Sequence, residues 1–381
     1  MCYKTGQFYL LLTLRRNPLD TQDPSPYTLS MKEQCLVNPS ELTKQATECE
    51  LSASVICESV PCDLCGSDNT EVLFTMVDHD MHVEGRFPLA RCRECGLVYV
   101  NPRPTKASIG RYYASSLYND PQEKMSRGAL LKRFKQVVRE SRPGYNRNVH
   151  GLRRLVGRLL GAFLGDRIGI VVPFIRNGRI LDVGCNDGEM IGWMSRHGWD
   201  TYGVEINPKA AKVATERGMK MFCGELMGAG YQANFFDAVT MNHILEHVHS
   251  PSQVLGEAYR ILKPGGMVFI NVPNFACLDA EIFQEHWYGL DPPRHLYDFT
   301  PGTLGDLLRK TYFEIVRWVP KLPHSLYAYR SIELWRKTRN LSSPTEWKLR
   351  LQVQLVKPIL WIFSHDKQRY SESISVYARK K

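Results

Sequence analysis

Apolar residues are unevenly spread along the chain. From Gly178 onward they fall in short runs, alternating with stretches where they recur at helical spacing. The runs Arg179–Val183, Thr201–Glu205, Lys220–Cys223, Phe236–Met241 and Met267–Val272 predict strands, because a short continuous apolar run suits a strand buried on both faces. Between them, Glu189–Arg196, Pro208–Arg217 and Pro251–Leu262 predict helices. The last two open on Pro, whose fixed φ suits a first helical turn, and close on Gly218 and on Pro264-Gly265-Gly266. A helix at Leu304–Lys310 and strands at Phe313–Val319 and Ile374–Tyr377 follow. The last two strands are separated by about 50 residues, partly helical, with an apolar patch at Leu355–Phe363. Strands alternating with helices of this length predict an α/β domain built on a doubly wound, mostly parallel sheet.

Upstream the rhythm differs. Residues 1–56 show no sustained period and are expected to be poorly ordered. Residues 57–103 are cysteine-bearing, with a short strand at Leu97–Val100 closed by Asn101-Pro102-Arg103-Pro104. Residues 104–177 read as a helical, basic linker, with Leu130, Leu131, Phe134, Val137 and Val138 at helical spacing. From Arg103 to Arg179 there are 17 Lys and Arg against four Asp and Glu, which accounts for much of the net charge of +10. That block suits phosphate or an acidic partner, and equally a set of solvated helix faces. The domain from 178 to 381 carries a helical insertion at about 320–370.

Composition narrows the class. Apolar residues at 43% and charged residues at 23% fit a globular protein with a sizeable core. No run reaches the length of a membrane span, and no small-residue cleavage site follows the apolar Phe8–Leu14. The eleven cysteines are odd in number and only four fall in a tight pattern, which points to a reducing, cytoplasmic setting.

The most informative stretch is Ile180-Leu181-Asp182-Val183-Gly184-Cys185-Asn186-Asp187-Gly188-Glu189. An apolar strand enters a glycine-containing loop and a helix follows at once, so a ligand can approach the backbone and meet helix N-terminal N–H groups. A dinucleotide fingerprint needs glycine at 186 and 189, where Asn and Glu stand. A carboxylate at Asp182 also suits a cationic ligand better than a pyrophosphate. Glu205, 23 residues later at the end of the next strand, can accept ribose hydroxyls.

Asp182, Gly184 and Gly188 resemble the first motif of the class I S-adenosylmethionine-dependent methyltransferases, with Asn186 replacing the middle glycine. Asn tolerates positive φ better than other non-glycine residues. Gly224-Glu225, Phe236-Asp237-Ala238-Val239, Leu245-Glu246-His247-Val248 and Lys263-Pro264-Gly265-Gly266 are further landmarks of that class in the same order. The resemblance covers about residues 178–319 and the final strand. It implies a Rossmann-like, seven-stranded sheet and a cofactor site of Asp182, Gly184, Asn186, Gly188, Glu205, Glu225 and Asn242, with Glu225 toward the adenine amino group.

Methyl transfer to a hydroxyl needs alignment and removal of a proton. His243, Glu246 and His247 are expected on one face of a helix after the fourth strand. In the ubiquinone-pathway O-methyltransferases a similar stretch implies a divalent-metal site, but there the position of His243 is usually Glu. The favoured reading here is a capping and cofactor-loop cluster. His286-Trp287-Tyr288-Gly289-Leu290-Asp291-Pro292-Pro293-Arg294-His295-Leu296 reads as a substrate lid. His295 is the first candidate for general base and His243 the second.

Cys62-x2-Cys65 and Cys92-x2-Cys95, 26 residues apart and each followed by Gly, supply four thiolates for one tetrahedral zinc ion. A closed thiolate shell makes the metal structural. His79 and His82 fall in the intervening loop and are expected to face solvent. Similar methyltransferases, including sugar-modifying ones, carry such a ribbon ahead of the catalytic domain. The expected activity is methyl transfer to a small-molecule or sugar-linked acceptor, at oxygen. The alternative is an RNA methyltransferase in which ribbon and basic segment hold RNA. Nothing in the sequence sets the oligomeric state.

Overall fold

The computed structural model describes residues 55–78, 84–113, 172–321, 323, 325–339 and 359–381, with positions 140, 145, 155 and 356. Residues 1–54 of the segment expected to be poorly ordered, most of the helical basic linker, and His79 and His82 lie outside them.

The first described strands form two small sheets. Strand β1 (Cys57–Glu58) pairs with β5 (Arg103–Pro104). Strands β2 (Thr70–Met76), β3 (Phe87–Cys92) and β4 (Val98–Val100) form an antiparallel meander. The main sheet begins at β6 (Arg179–Val183), followed by α1 (Glu189–Arg196), β7 (Asp200–Glu205), α2 (Pro208–Glu216) and β8 (Lys220–Cys223). Then come β9 (Phe236–Asn242), α3 (Pro251–Ile261), β10 (Leu262–Pro273) and α4 (Leu278–Phe283). Strand β11 (Tyr297–Asp298), α5 (Pro301–Lys310), β12 (Phe313–Pro320), α6 (Ser325–Thr338) and β13 (Ser373–Lys380) complete the chain.

The large sheet has the order β12-β13-β10-β9-β6-β7-β8. Strands β6 to β10 pair in parallel, and β13 enters antiparallel between β10 and β12. The chain runs outward from β6 to β8, then returns to the other side of β6 with β9. The crevice between β6 and β9 is therefore the topological switch point, where ligands of such sheets bind beyond the strand carboxyl ends. The central strands are apolar because helices cover both faces: Leu181, Val239, Ile270 and Val376 are all fully buried.

Two local differences from the sequence expectation matter. Residues 243–249, expected on a helix, form a turn, and α3 starts only at Pro251. His243 has φ +56, which no α-helix accommodates. Segment 286–296 is interior rather than an exposed lid: Trp287, Arg294 and Leu296 are fully buried.

All these elements lie in one compact unit spanning Cys49–Lys381. Strand β11, from the catalytic half, pairs with β4 and completes a four-stranded sheet with the cysteine-bearing strands. Met76, Phe87, Leu89 and Val98 from those strands pack with Trp287 and Leu290 in a second core. Buried Arg103 donates to the His249 carbonyl at 2.7 Å and the Tyr297 hydroxyl at 3.0 Å. Among the described residues, no helix is long and apolar enough to cross a membrane.

Candidate active site

At the switch point, strand β6 delivers Asp182 and β7 delivers Glu205, both at strand carboxyl ends and both buried. Thr240 on β9 donates its hydroxyl to Asp182 Oδ1 at 2.6 Å. Burial pushes the Asp182 carboxyl up to about 7, against the Thr240 hydrogen bond and with help from the charge of Glu205. Glu205 braces the loop: Oε2 accepts from the Asn186 N–H and Oε1 from the Asn207 N–H, each at 2.8 Å. Each oxygen keeps a second lone pair for a hydroxyl.

The loop path depends on left-handed backbone. Gly184, Asn186 and Gly188 have φ of +72, +52 and +77. A Cβ on Gly184 would sit 1.9 Å from Ile244 Cδ1, so the loop and the turn after β9 touch where a side chain has no room. Gly188 is the N-cap of α1, whose first amides open toward the loop. The cradle and its two carboxylates fit a cationic nucleoside. Glu225 stands at the end of β8 with its carboxylate 3.0 Å from Lys106 Nζ, and Asn242 at the end of β9 accepts from the Asn271 amide at 3.1 Å.

Beyond the strands lies an imidazole cluster. The Asn271 amide donates to His243 Nε2 at 2.9 Å, which leaves the proton on Nδ1, 3.0 Å from Glu246 Oε1. Both ring nitrogens of His243 are thus engaged inside the protein. His295 is different. Its Nδ1–H donates to the Gly289 carbonyl at 2.8 Å, and Nε2 lies 4.0 Å from Asp291 Oδ2. Burial, then the field of His247, pushes His295 down to about 4, so at neutral pH its Nε2 is an uncharged proton acceptor. His247 likewise donates Nδ1–H to the Arg294 carbonyl at 2.9 Å. Burial opposes the charge of Glu246, but the His243 hydrogen bond together with the fields of His243, His247 and His295 holds it below the usual carboxylate range.

The side chains whose donor atoms converge within 4.8 Å are Glu246, His247 and His295. His243 is not among them: it bonds Glu246 through Nδ1 while its Nε2 faces Asn271. Glu246 and His247 were visible in the sequence, and His295 was visible separately, but nothing in their spacing joined them. Asp298, on β11, was missed. Its carboxyl is buried without a hydrogen-bond partner among the described residues, and burial drives its pKa well above the usual value.

Cys62, Cys65, Cys92 and Cys95 bring their Sγ atoms within 4.8 Å of one another, with Cys62–Cys95 and Cys65–Cys92 each at 3.4 Å. In each knuckle the glycine after the second cysteine has positive φ and donates its N–H to the first cysteine's carbonyl. Four sulfurs at this spacing fit a tetrahedral thiophilic dication.

Residues 147–317 match the family described as a methyltransferase domain. A ubiquinone biosynthesis O-methyltransferase of Xanthomonas oryzae pv. oryzae is 32% identical over 183 residues, spanning 44% of this chain and 72% of that protein. Its counterpart in Paracidovorax citrulli is 28% identical over 219 residues, spanning 52% of this chain and 83% of the relative. A solved S-adenosylmethionine-dependent methyltransferase from Mesorhizobium loti aligns with TM-score 0.38 and 16% identity over 55% of this chain and 93% of its own. The chain belongs to the S-adenosylmethionine-dependent methyltransferases and is an enzyme of that class.

Proposed function

We propose that the enzyme methylates an oxygen atom of a small-molecule or glycan-precursor acceptor. The observation that carries the cofactor half of this reading is the pair of buried carboxylates, Asp182 and Glu205, flanking a loop in which Gly184 leaves no room for a side chain. When bound, S-adenosylmethionine supplies an electrophilic methyl group on a sulfonium. Asp182 faces its positive end, Glu205 accepts ribose hydroxyls, and the backbone of Gly184, Asn186 and Gly188 shapes the cradle. Glu225 borders the base, and Asn242 completes the cofactor site.

His295 takes the acceptor's hydroxyl proton at Nε2. The Gly289 carbonyl fixes the tautomer that leaves this nitrogen bare. His243, with both nitrogens engaged, orients Glu246 instead. Oxygen as acceptor atom draws support from the relatives, which are named as ubiquinone biosynthesis O-methyltransferases. Cys62, Cys65, Cys92 and Cys95 hold one structural zinc ion within a ribbon at 57–103, ahead of a catalytic domain from about 178.

Calorimetric titration of S-adenosylmethionine into wild type and Asp182→Ala tests the cofactor site, with binding expected only in the former. A labelled-methyl assay over phenols, nucleotide sugars and RNA tests the acceptor. Transfer confined to RNA would overturn it, and full turnover in His295→Gln would remove the assigned base.

A further inference from the structure

The ribbon reaches the imidazole cluster through a buried ion triad. Asp78 follows strand β2 of the ribbon sheet, and its carboxylate grips Arg294 with both oxygens, at 2.7 Å to Nη1 and 3.1 Å to Nη2. Asp291 Oδ1 takes Arg294 Nε at 2.9 Å and Nη2 at 2.5 Å. The side chains of Arg294 and Asp78 have no solvent exposure. A parallel fork of this kind fixes the guanidinium in plane and direction, which a single point charge does not.

Arg294 is also where the two imidazoles are fastened. Its carbonyl accepts the His247 Nδ1–H, and His295 is the next residue. The His295 N–H donates to the Asp291 carbonyl at 3.0 Å, closing the turn that Asp291 and Arg294 hold from the side-chain end. We propose that Asp78 is a positioning residue for His247 and His295, acting through Arg294, so that the cysteine-bearing ribbon sets the geometry of the proton-accepting group in the catalytic half. The inference rests on the role given to His295 above but concerns a residue of the other module, more than 200 positions away in sequence.

Charge removal at Asp78 takes a bidentate carboxylate away from the buried Arg294 and leaves the Asp291 contact in place. The guanidinium must then turn toward Asp291 or water, and its own carbonyl moves with it. The cofactor loop, braced by Glu205 and Thr240, makes none of these contacts. Asp78 is therefore expected to affect the imidazoles and spare the methyl donor.

The test uses the full chain with 15N-labelled histidine. Long-range 1H–15N spectra report the tautomer of each imidazole, with His247 and His295 assigned by His247→Gln and His295→Gln. In wild type both are expected to show a protonated Nδ1, and His295 a bare Nε2. In Asp78→Asn both are expected to lose that signature, while the other histidines keep theirs and S-adenosylmethionine affinity stays within about twofold. Asp78→Glu keeps the charge and is expected to give a smaller change in the same two rings. It carries the test if the Asn variant does not fold. Unmoved His247 and His295 signals in either folded variant, or a loss spread over all histidines together with cofactor affinity, would overturn the proposal. Failure of the base assignment shows elsewhere, as undiminished turnover in His295→Gln with the tautomer signature intact.

Discussion

At the residue scale, Asp182 has two duties that pull apart. Burial raises its pKa to about 7, so near neutrality the folded protein holds a proton that the unfolded chain releases from about pH 4 upward. The folded state binds more protons across that window, so this group's contribution to stability falls as pH rises from about 4 to 7. A cationic nucleoside reverses the preference, because it favours the ionised carboxylate. Affinity for S-adenosylmethionine is therefore expected to rise with pH up to about 7 and then level, with proton release on binding. Calorimetry in two buffers of different ionisation enthalpy reads this directly, and a pH-independent affinity would rule out the contact. Asp182→Asn is expected to keep or raise the melting temperature while losing about tenfold to a hundredfold in affinity, the range for a charged hydrogen bond. Asn186 offers a second comparison. At φ +52 it stands where glycine is at ease. Asn186→Gly is expected to leave the loop intact, whereas Asn186→Ala costs about 1 kcal/mol by denaturant titration.

At the element scale, helix α3 shows how the small module supports the large one. Its N-cap, Ser250, makes no capping bond of its own. Asp63, inside the first cysteine knuckle, takes that place: Oδ2 accepts the Ser252 N–H at 2.8 Å, and Oδ1 accepts the hydroxyls of Ser250 and Ser252. An anion at a helix start also meets the positive end of the helix dipole. Asp63→Ala is expected to cost about 1 kcal/mol, read as a lowered denaturant midpoint at unchanged slope. No sequence pattern announces a cap supplied from 189 residues away. Strands β6, β7, β9 and β10 were legible because they are largely buried and alternate with helices bounded by Pro and Gly. Strands β2 and β3 were not, since β2 is largely half-buried without clean alternation and takes its order from the knuckles beside it. Residues 243–249 imitated a helix because Ile244, Leu245 and Val248 carry helical spacing. The close approach of Ile244 to Gly184 holds them in a turn instead. The cofactor loop could be read from one stretch of chain, and the surroundings of His295 could not, because His247 and, through Arg294, Asp78 come to it only through the fold.

At the scale of the whole molecule, the ribbon and the catalytic sheet share structure rather than merely touch. Strand β11 leaves the catalytic half to complete the ribbon sheet, the second core mixes Phe87 and Leu89 with Trp287, and the Asp78–Arg294 pair is buried on both sides. Separating the modules would expose that core and break the buried Asp78–Arg294 pair. Neither half is then expected to be stable without the other, and the two are expected to melt in one cooperative transition in scanning calorimetry. Chelation extends the same test. Metal binding to four thiolates is folding free energy for the knuckles, and Asp63 sits within the first of them. A strong chelator is therefore expected to lower the single transition as a whole and to weaken S-adenosylmethionine binding only as far as the catalytic sheet itself unfolds. Two resolved transitions, with the later one unmoved by chelator, would show that the ribbon is an independent domain.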